Sequence, residues 1–512
     1  MPLSFRVCVR GLVTSALLCV ASTAFAVAMG EADARHLLAR TGFGPTTAEV
    51  QAFATMSRDE AIDTLLRDAR TTPVTAPPAW VDASTPDRRP SPDASEAERK
   101  AFREKEARRS AELRASWIRE MLATPSPLTE RMTLFWHNHF VSSQQKVRDA
   151  RLMYAQNALF RTNALGSFAT LLRAAAKDPA MVIYLDSVQN RKGAPNENFA
   201  REVMELFTLG QGRYTEEDIK EAARAFTGWS IERETRAFVF RSRAHDDGEK
   251  RVFGASGRFD GDAIIDLLLQ RRETSEFIVA KLWIEFVSAE PDRATVERIA
   301  RDFRAQRYDI KVALRELLQS NAFWSDTHRG TLVKSPVEIV VGTLRQLDVA
   351  AGDTLALGVV VAGMGQNLFS PPNVRGWPGG NAWINSNTLL ARKQFLDRVA
   401  RNDATPAPMT VSIGAAPIEV TDALAMVATR DATAGEMERA ARLARAIDRS
   451  TRNLRFDAQR WIGQQDGRTV DDKLAFATRL LLPVAAVLPR IEDADATTAI
   501  HAALLDPAYQ LK

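Results

Sequence analysis

Two glutamates, an arginine and an asparagine fall together in one short stretch, Asn196 to Gly210. At helical spacing Asn198, Arg201, Glu202 and Glu205 share an arc of about 100°, with Phe199, Val203, Leu206 and Phe207 opposite. Glu202 and Glu205 are i, i+3 neighbours, and Arg201 stands i, i+4 to Glu205, a spacing suited to an ion pair. Adjacent carboxylates raise each other's proton affinity unless a cation offsets them. Such a face is either an ordinary solvated ion-pair ladder or the polar lining of a pocket. In the second case Glu202 or Glu205 serves as base or metal ligand, and Arg201 clamps an anion.

The histidines offer a second set of chemical groups. In Leu134-Phe-Trp-His-Asn-His-Phe140 the spacing aligns His139 with Met132, Phe135 and Trp136, so its ring points at the core. His139 is then a satisfied core histidine or a metal ligand. His137 points about 200° away, and the pair lacks the i, i+4 spacing that clamps one zinc from a regular helix. His245-Asp246, at an expected turn, reads as ligand, acid/base pair or turn former. The candidate catalytic set is Glu202, Glu205, Arg201 and His137, and the candidate metal set is His139, His245 and Glu202. Trp377 and Trp383, in a Pro/Gly-rich loop over 370–383, stack on a ligand such as a sugar, close a cleft, or pin the loop to the helices beneath. With Asn198 they form the candidate ligand-binding set.

Familiar signatures are missing. The sequence holds no His-Glu-x-x-His, no Gly-x-Ser-x-Gly, no Walker loop and no complete Gly-x-Gly-x-x-Gly. No Cys-x-x-Cys-His marks covalent haem. Nucleotide and haem chemistry thus have no motif here, and a divalent metal is the one cofactor the side chains suggest.

Positioning these groups falls mainly to helices. Periodicity predicts helices over 31–40, 46–69, 96–123, 127–142, 149–163, 167–177, 196–210 and 215–227. Thr215-Glu-Glu-Asp218 is a capping-box-like start, with Asp in place of the usual Glu or Gln. Residues 71–94 form a Pro- and Asp-rich loop. Ala237-Phe-Val-Phe240 and Lys250-Arg-Val-Phe253 flank His245-Asp-Asp-Gly248, predicting one small hairpin within 236–259. Helical patterning resumes over 260–347 and from Ser386 to about Arg401. The expected fold class is mainly α, with one large helical domain over 27–401. A linker over 402–418 leads to a helical segment, 419–512, packed on that domain.

The amino terminus reads as a secretory signal. Arg6 and Arg10 precede an apolar run, Gly11 to Ala21, and Ala24-Phe-Ala26 fits the small-x-small rule, so cleavage is expected after Ala26. The expected location is the periplasm or the exterior. Both cysteines, Cys8 and Cys19, lie in the signal, which removes disulfides and Cys nucleophiles from the mature chain. The signal has two arginines and no acids, so of 68 basic and 64 acidic side chains, 66 and 64 remain. That balance disfavours nucleic acid as a partner. No later apolar run reaches membrane-spanning length; Leu480–Val487 is short, interrupted by Pro483, and reads as a buried helix end.

Long strings of this sequence resemble a bacterial family catalogued as domain of unknown function 1800. They include His36-Leu-Leu-Ala-Arg-Thr-Gly-Phe-Gly-Pro45, Phe135-Trp-His-Asn-His-Phe140, Asn190 through Gly210, Tyr214-Thr-Glu, Ala225-Phe-Thr-Gly-Trp229, His245-Asp246, Lys281-Leu-Trp283, Val333-Lys-Ser-Pro-Val-Glu338 and Met364 through Ser386. The match weakens after about Asn402. The resemblance implies an exported, mostly helical protein with no established activity. Relatives are often encoded beside secreted sulfatase- or phosphatase-like proteins, which implies such a protein as a partner or a shared pathway.

Two functions follow as expectations. In the first, distant helices converge on a polar His/Glu/Arg pocket that performs metal-assisted or carboxylate-driven hydrolysis of an envelope or extracellular substrate. In the second, the chain is a non-catalytic binding or assembly partner of an exported sulfatase- or phosphatase-like protein, with Trp283, Trp377 and Trp383 as anchors.

Overall fold

A computed structural model describes residues 27–81, 90–91, 93–351, 353–400, 410–412, 417–419, 454–491 and 493–512. The expected signal and its cleavage point, most of the expected linker, and residues 420–453 lie outside the described residues.

The chain is mainly α. Helix Glu96–Ala123 has the expected bounds, because Ser95 and Glu98 close a capping box and Thr124 leaves the helical region at the other end. The expected helix over 46–69 is instead two, Thr47–Ala54 and Arg58–Arg67. Ser57 breaks the run by taking an extended conformation and accepting from the Glu60 N–H, so it caps a fresh helix. Thr215 and Asp218 form the expected capping box of helix Glu216–Ala225.

Helix Pro127–His139 runs through the middle of the molecule and is buried on nearly every side. Its aromatic residues pack into a cluster in which Trp136, Phe140, Phe168 and Phe207 stack or meet edge to face. The helix ends three residues before the expected Ser142. Beyond it the backbone extends, and the Gln144 N–H donates to the Phe369 carbonyl.

The featured stretch is helical only over Asn198–Glu205. Phe199, Ala200, Val203 and Met204 face the core. The last turn widens: the Leu209 N–H bonds the Met204 carbonyl, and Gly210, at φ +82°, reverses the chain.

The β structure falls in the expected region with different partners. Phe238–Phe240 pairs back onto Trp229–Ile231, and Lys250–Val252 pairs forward onto Ala255–Gly257. Two hairpins therefore replace the single one expected. Phe253 and Gly254, both at positive φ (+52° and +83°), make the two-residue turn that pairs Val252 with Ala255. A further pair, Thr410–Ser412 with Pro417–Glu419, falls within and just past the expected linker.

The described C-terminal helices, Ala458–Gly463, Val470–Leu481 and Ala496–Leu505, bond to earlier elements. Trp461 Nε1 donates to the Gln346 carbonyl, and the Lys512 N–H to the Leu332 carbonyl. Among the described residues no helix is long and apolar enough to cross a membrane.

Candidate functional site

The polar face of helix Asn198–Glu205 forms as the spacing predicts, with different ion pairs. Arg201 does not pair with Glu205. Its two terminal nitrogens reach the two Glu216 oxygens, each at 2.9 Å, and Nη2 also reaches Glu197 at 3.1 Å. Bidentate pairing with Glu216 wins because both guanidinium nitrogens are satisfied at once. Glu205 instead accepts from the Tyr214 hydroxyl at 2.6 Å and lies 3.6 Å from the Arg375 guanidinium. Asn198 Nδ2 donates to Asp186 Oδ2 at 3.3 Å.

Glu202 is the half-buried member of the set. Burial raises its proton affinity, the Glu205 charge raises it further, and Arg201 and Arg375 oppose both. Burial and Glu205 together push the Tyr214 hydroxyl up to about 12. Tyr184 is raised by burial and by the Glu202 charge. These shifts mark one electrostatically connected patch: Glu202, Glu205, Tyr214, Tyr184, Arg201 and Arg375.

Arg375 arrives from the loop over 370–383, and Asn138 holds that loop in place. The Trp377 N–H donates to Asn138 Oδ1 at 2.7 Å, and Asn138 Nδ2 donates back to the Trp377 carbonyl at 3.5 Å. Gly376 makes this approach possible. A Cβ there would sit 2.2 Å from Asn138 Oδ1, and the residue is at φ +85°. Trp377 and Trp383 are only 4 % and 6 % exposed. They pin the loop, and neither presents a face on which a sugar could stack, which corrects the ligand-binding expectation for both.

The histidines lie elsewhere. His137 is 2 % exposed and packs against Trp117, Phe160 and Phe369. Its Nε2 is 3.0 Å from Asn157 Nδ2, and burial, with Arg161 nearby, drives its pKa down to about 3. His139, also 2 % exposed, bonds the Phe207 carbonyl at 3.1 Å and Lys281 Nζ at 3.0 Å. His245 Nδ1 is 2.9 Å from the Thr227 carbonyl, while its neighbour Asp246 pairs with Arg224 and accepts from the Gly248 N–H. Asp246 is the turn former. Among the described residues no three His, Cys, Asp or Glu side chains are grouped to hold a metal ion. The expected set of His139, His245 and Glu202 is not brought together, because each histidine is committed to a carbonyl on a different element.

The sequence reading missed Tyr214, Arg375 and Asn138 as members of the site, and Lys281 as the partner of His139. Asn138 had one signal, a polar residue between two histidines on an otherwise apolar helix. The others act across gaps of nine to 170 residues that no local pattern records. A buried ion pair was missed as well. Arg161 grips Glu130 through Nε at 2.6 Å and Nη2 at 3.0 Å, and Trp117 Nε1 donates to the same carboxylate at 2.7 Å.

A family model described as "Protein of unknown function (DUF1800)" matches residues 36–511, nearly the whole chain. No curated protein and no solved structure matches it.

Proposed function

We propose a function from one premise: the chain belongs to the DUF1800 family, described only as proteins of unknown function. The protein acts outside the cytoplasm, and its working surface is the Glu202–Glu205 face beneath Arg375. Glu202 is a general base for hydrolysis of a polar or anionic envelope or extracellular substrate. It takes a proton from water as the water oxygen bonds to the substrate's electrophilic centre. The scissile bond then breaks, the leaving group departs with that proton from Glu202, and Arg375 steadies the charge that develops. Glu205, tied to Tyr214, holds the negative field that keeps Glu202 basic. Arg201, already engaged by Glu216 and Glu197, positions the helix rather than the substrate. Export is supported by the signal-like residues 1–26.

The observation that carries this reading is geometric: Glu202 is a half-buried carboxylate one helical turn from Glu205, which Tyr214 and Arg375 attend. The donor set supports carboxylate-driven over metal-assisted hydrolysis, since the histidines are bonded away from the two glutamates.

The test is a panel of chromogenic phosphate, sulfate, carboxylic ester and glycoside substrates offered to the purified protein. Turnover that drops at least ~100-fold in Glu202→Gln, with the unfolding midpoint unchanged, supports the base. Turnover that is absent, or indifferent to Glu202→Gln, favours the rival: a non-catalytic binding or assembly partner of an exported sulfatase- or phosphatase-like protein.

A further inference from the structure

Helix Gly30–Thr41 and the end of helix Val470–Leu481 enclose a groove of about 600 Å3. That lies within the roughly 300–1,000 Å3 of small-molecule sites. Its walls are largely apolar: Val50, Phe476, Leu480, Leu482, Pro483 and Val484. Glu31, Thr478 and Arg479 are the polar residues of its rim.

Arg35 lines this groove and also a second, smaller cavity of about 20 Å3, which Lys334, Glu338, Gln346 and Lys512 share. Leu480 and Pro483 border both spaces as well. The charges on this inner wall do not balance. Glu338 is its one carboxylate, and it is already taken by Lys512 Nζ and Arg131 Nη1, each at 2.5 Å, and by the Ser335 N–H at 2.7 Å. Lys334 sits over the Tyr509 ring, Nζ 3.8 Å from its centre, and Arg35 Nη2 donates to the Pro483 carbonyl at 3.1 Å. Neither cation has an ion-pair partner among the described residues. Burial draws the Lys334 ammonium down to about 7 and Lys512 to about 8, and the Glu338 charge opposes the shift at both.

An apolar groove whose inner end carries a guanidinium, Arg35, with no carboxylate partner among the described residues is complementary to an aliphatic chain ending in a single negative charge. We propose that this groove binds a fatty-acid carboxylate, with the chain against Phe476, Leu482 and Val484 and the head on Arg35, backed by Lys334. The site shares no residue with the Glu202–Glu205 face.

The experiment is titration calorimetry of the purified protein with decanoate, 1-decanol and decyltrimethylammonium, each below its aggregation limit. Decanoate is expected to bind one to one, at least tenfold tighter than decanol, with no detectable binding of the cationic amphiphile. Arg35→Met and Lys334→Met are each expected to weaken decanoate at least tenfold while leaving decanol unchanged. Val484→Glu, at the exposed rim, should weaken decanoate without disturbing the core, and serves should either cation variant fail to fold. Absence of decanoate binding, equal affinity for decanoate and decanol, or wild-type decanoate binding in the folded variants overturns the proposal.

Discussion

The Lys281 ammonium donates to His139 Nδ1 across 3.0 Å, and His139 Nε2 donates in turn to the Phe207 carbonyl at 3.1 Å. This relay joins helix Arg272–Phe286, helix Pro127–His139 and the turn that ends helix Asn198–Glu205. It fixes a neutral imidazole, because burial and the Lys281 charge hold His139 well below its ordinary pKa. Burial also lowers Lys281, to about 8. His139 thus ties the proposed working helix to the core.

Lys281→Met removes the donor and leaves Nδ1 as a buried acceptor without a partner. The expected loss of stability is about 1–3 kcal/mol in urea unfolding. Nitrogen chemical shifts of His139 should show Nδ1 without a proton from pH 5 to 8 in the wild type. Protonation at Nδ1 would contradict the relay.

Arg161→Leu should be far more damaging than its surface counterpart. It strands the buried Glu130 carboxylate, whose two oxygens Arg161 and Trp117 now satisfy. Breaking a buried pair in this way costs about 3–5 kcal/mol. Arg201→Leu breaks a solvent-exposed pair with Glu216, and its unfolding midpoint should stay where it is. Equal midpoints for the two variants would refute the ranking.

Stability should fall as pH drops from about 6.5 toward 5. His36 and His137 are lowered to about 3, and His139 is held well below its ordinary value, mainly by burial. Below 6.5 the unfolded chain gains protons that these folded-state rings refuse, so acid favours unfolding. Asp178 works the other way. Burial pushes it up to about 7, so between pH 4 and 7 the folded state holds a proton the unfolded chain releases. Three histidines against one aspartate leave a net uptake of about two protons on unfolding near pH 5, or roughly 3 kcal/mol per pH unit. Urea midpoints at pH 5, 6 and 7 measure it, and a flat profile would mean the rings are not buried neutral.

Glu205→Gln should lower the titration midpoint of Glu202, since it removes the neighbouring negative charge. Arg375→Leu should raise it, by removing an opposing cation. Carboxyl carbon shifts followed through a pH titration read both directions. A Glu202 midpoint that ignores both substitutions would show that the two carboxylates and Arg375 are not coupled.

Trp377→Ala should cost on the order of 3–5 kcal/mol, as expected for a buried tryptophan that pins a loop. Tryptophan fluorescence of the wild type should not change on adding soluble oligosaccharides. Quenching that is lost in Trp377→Ala would restore the stacking role.

Some of this organisation was plain in the sequence. The Thr215 cap, the Gly/Pro loop and the amphipathic split of Asn198–Glu205 are local signals, written within a few residues of where they act. The histidines defeated the same approach. Periodicity assigns His137 and His139 to different faces, which separates a core residue from a solvated one only if the helix has a wet side. Helix Pro127–His139 has almost none, so both rings are buried. The hairpin pairing failed for a related reason. Alternation locates a strand, but its partner was chosen by a tight turn at Phe253-Gly254 and by the earlier strand at Trp229.

The residue string by itself determined that this chain is mainly helical, where several helices of its first half begin, and that two carboxylates share one helical face. Tertiary structure alone decided that Tyr214 and Arg375 rather than Arg201 attend Glu205, that Lys281 meets His139 142 residues away, and that the histidines and glutamates stay apart. Helix formation is settled by hydrogen bonds and side-chain contacts within four residues. Pairing between distant charges is settled by which surfaces the core brings together and how much water it leaves between them.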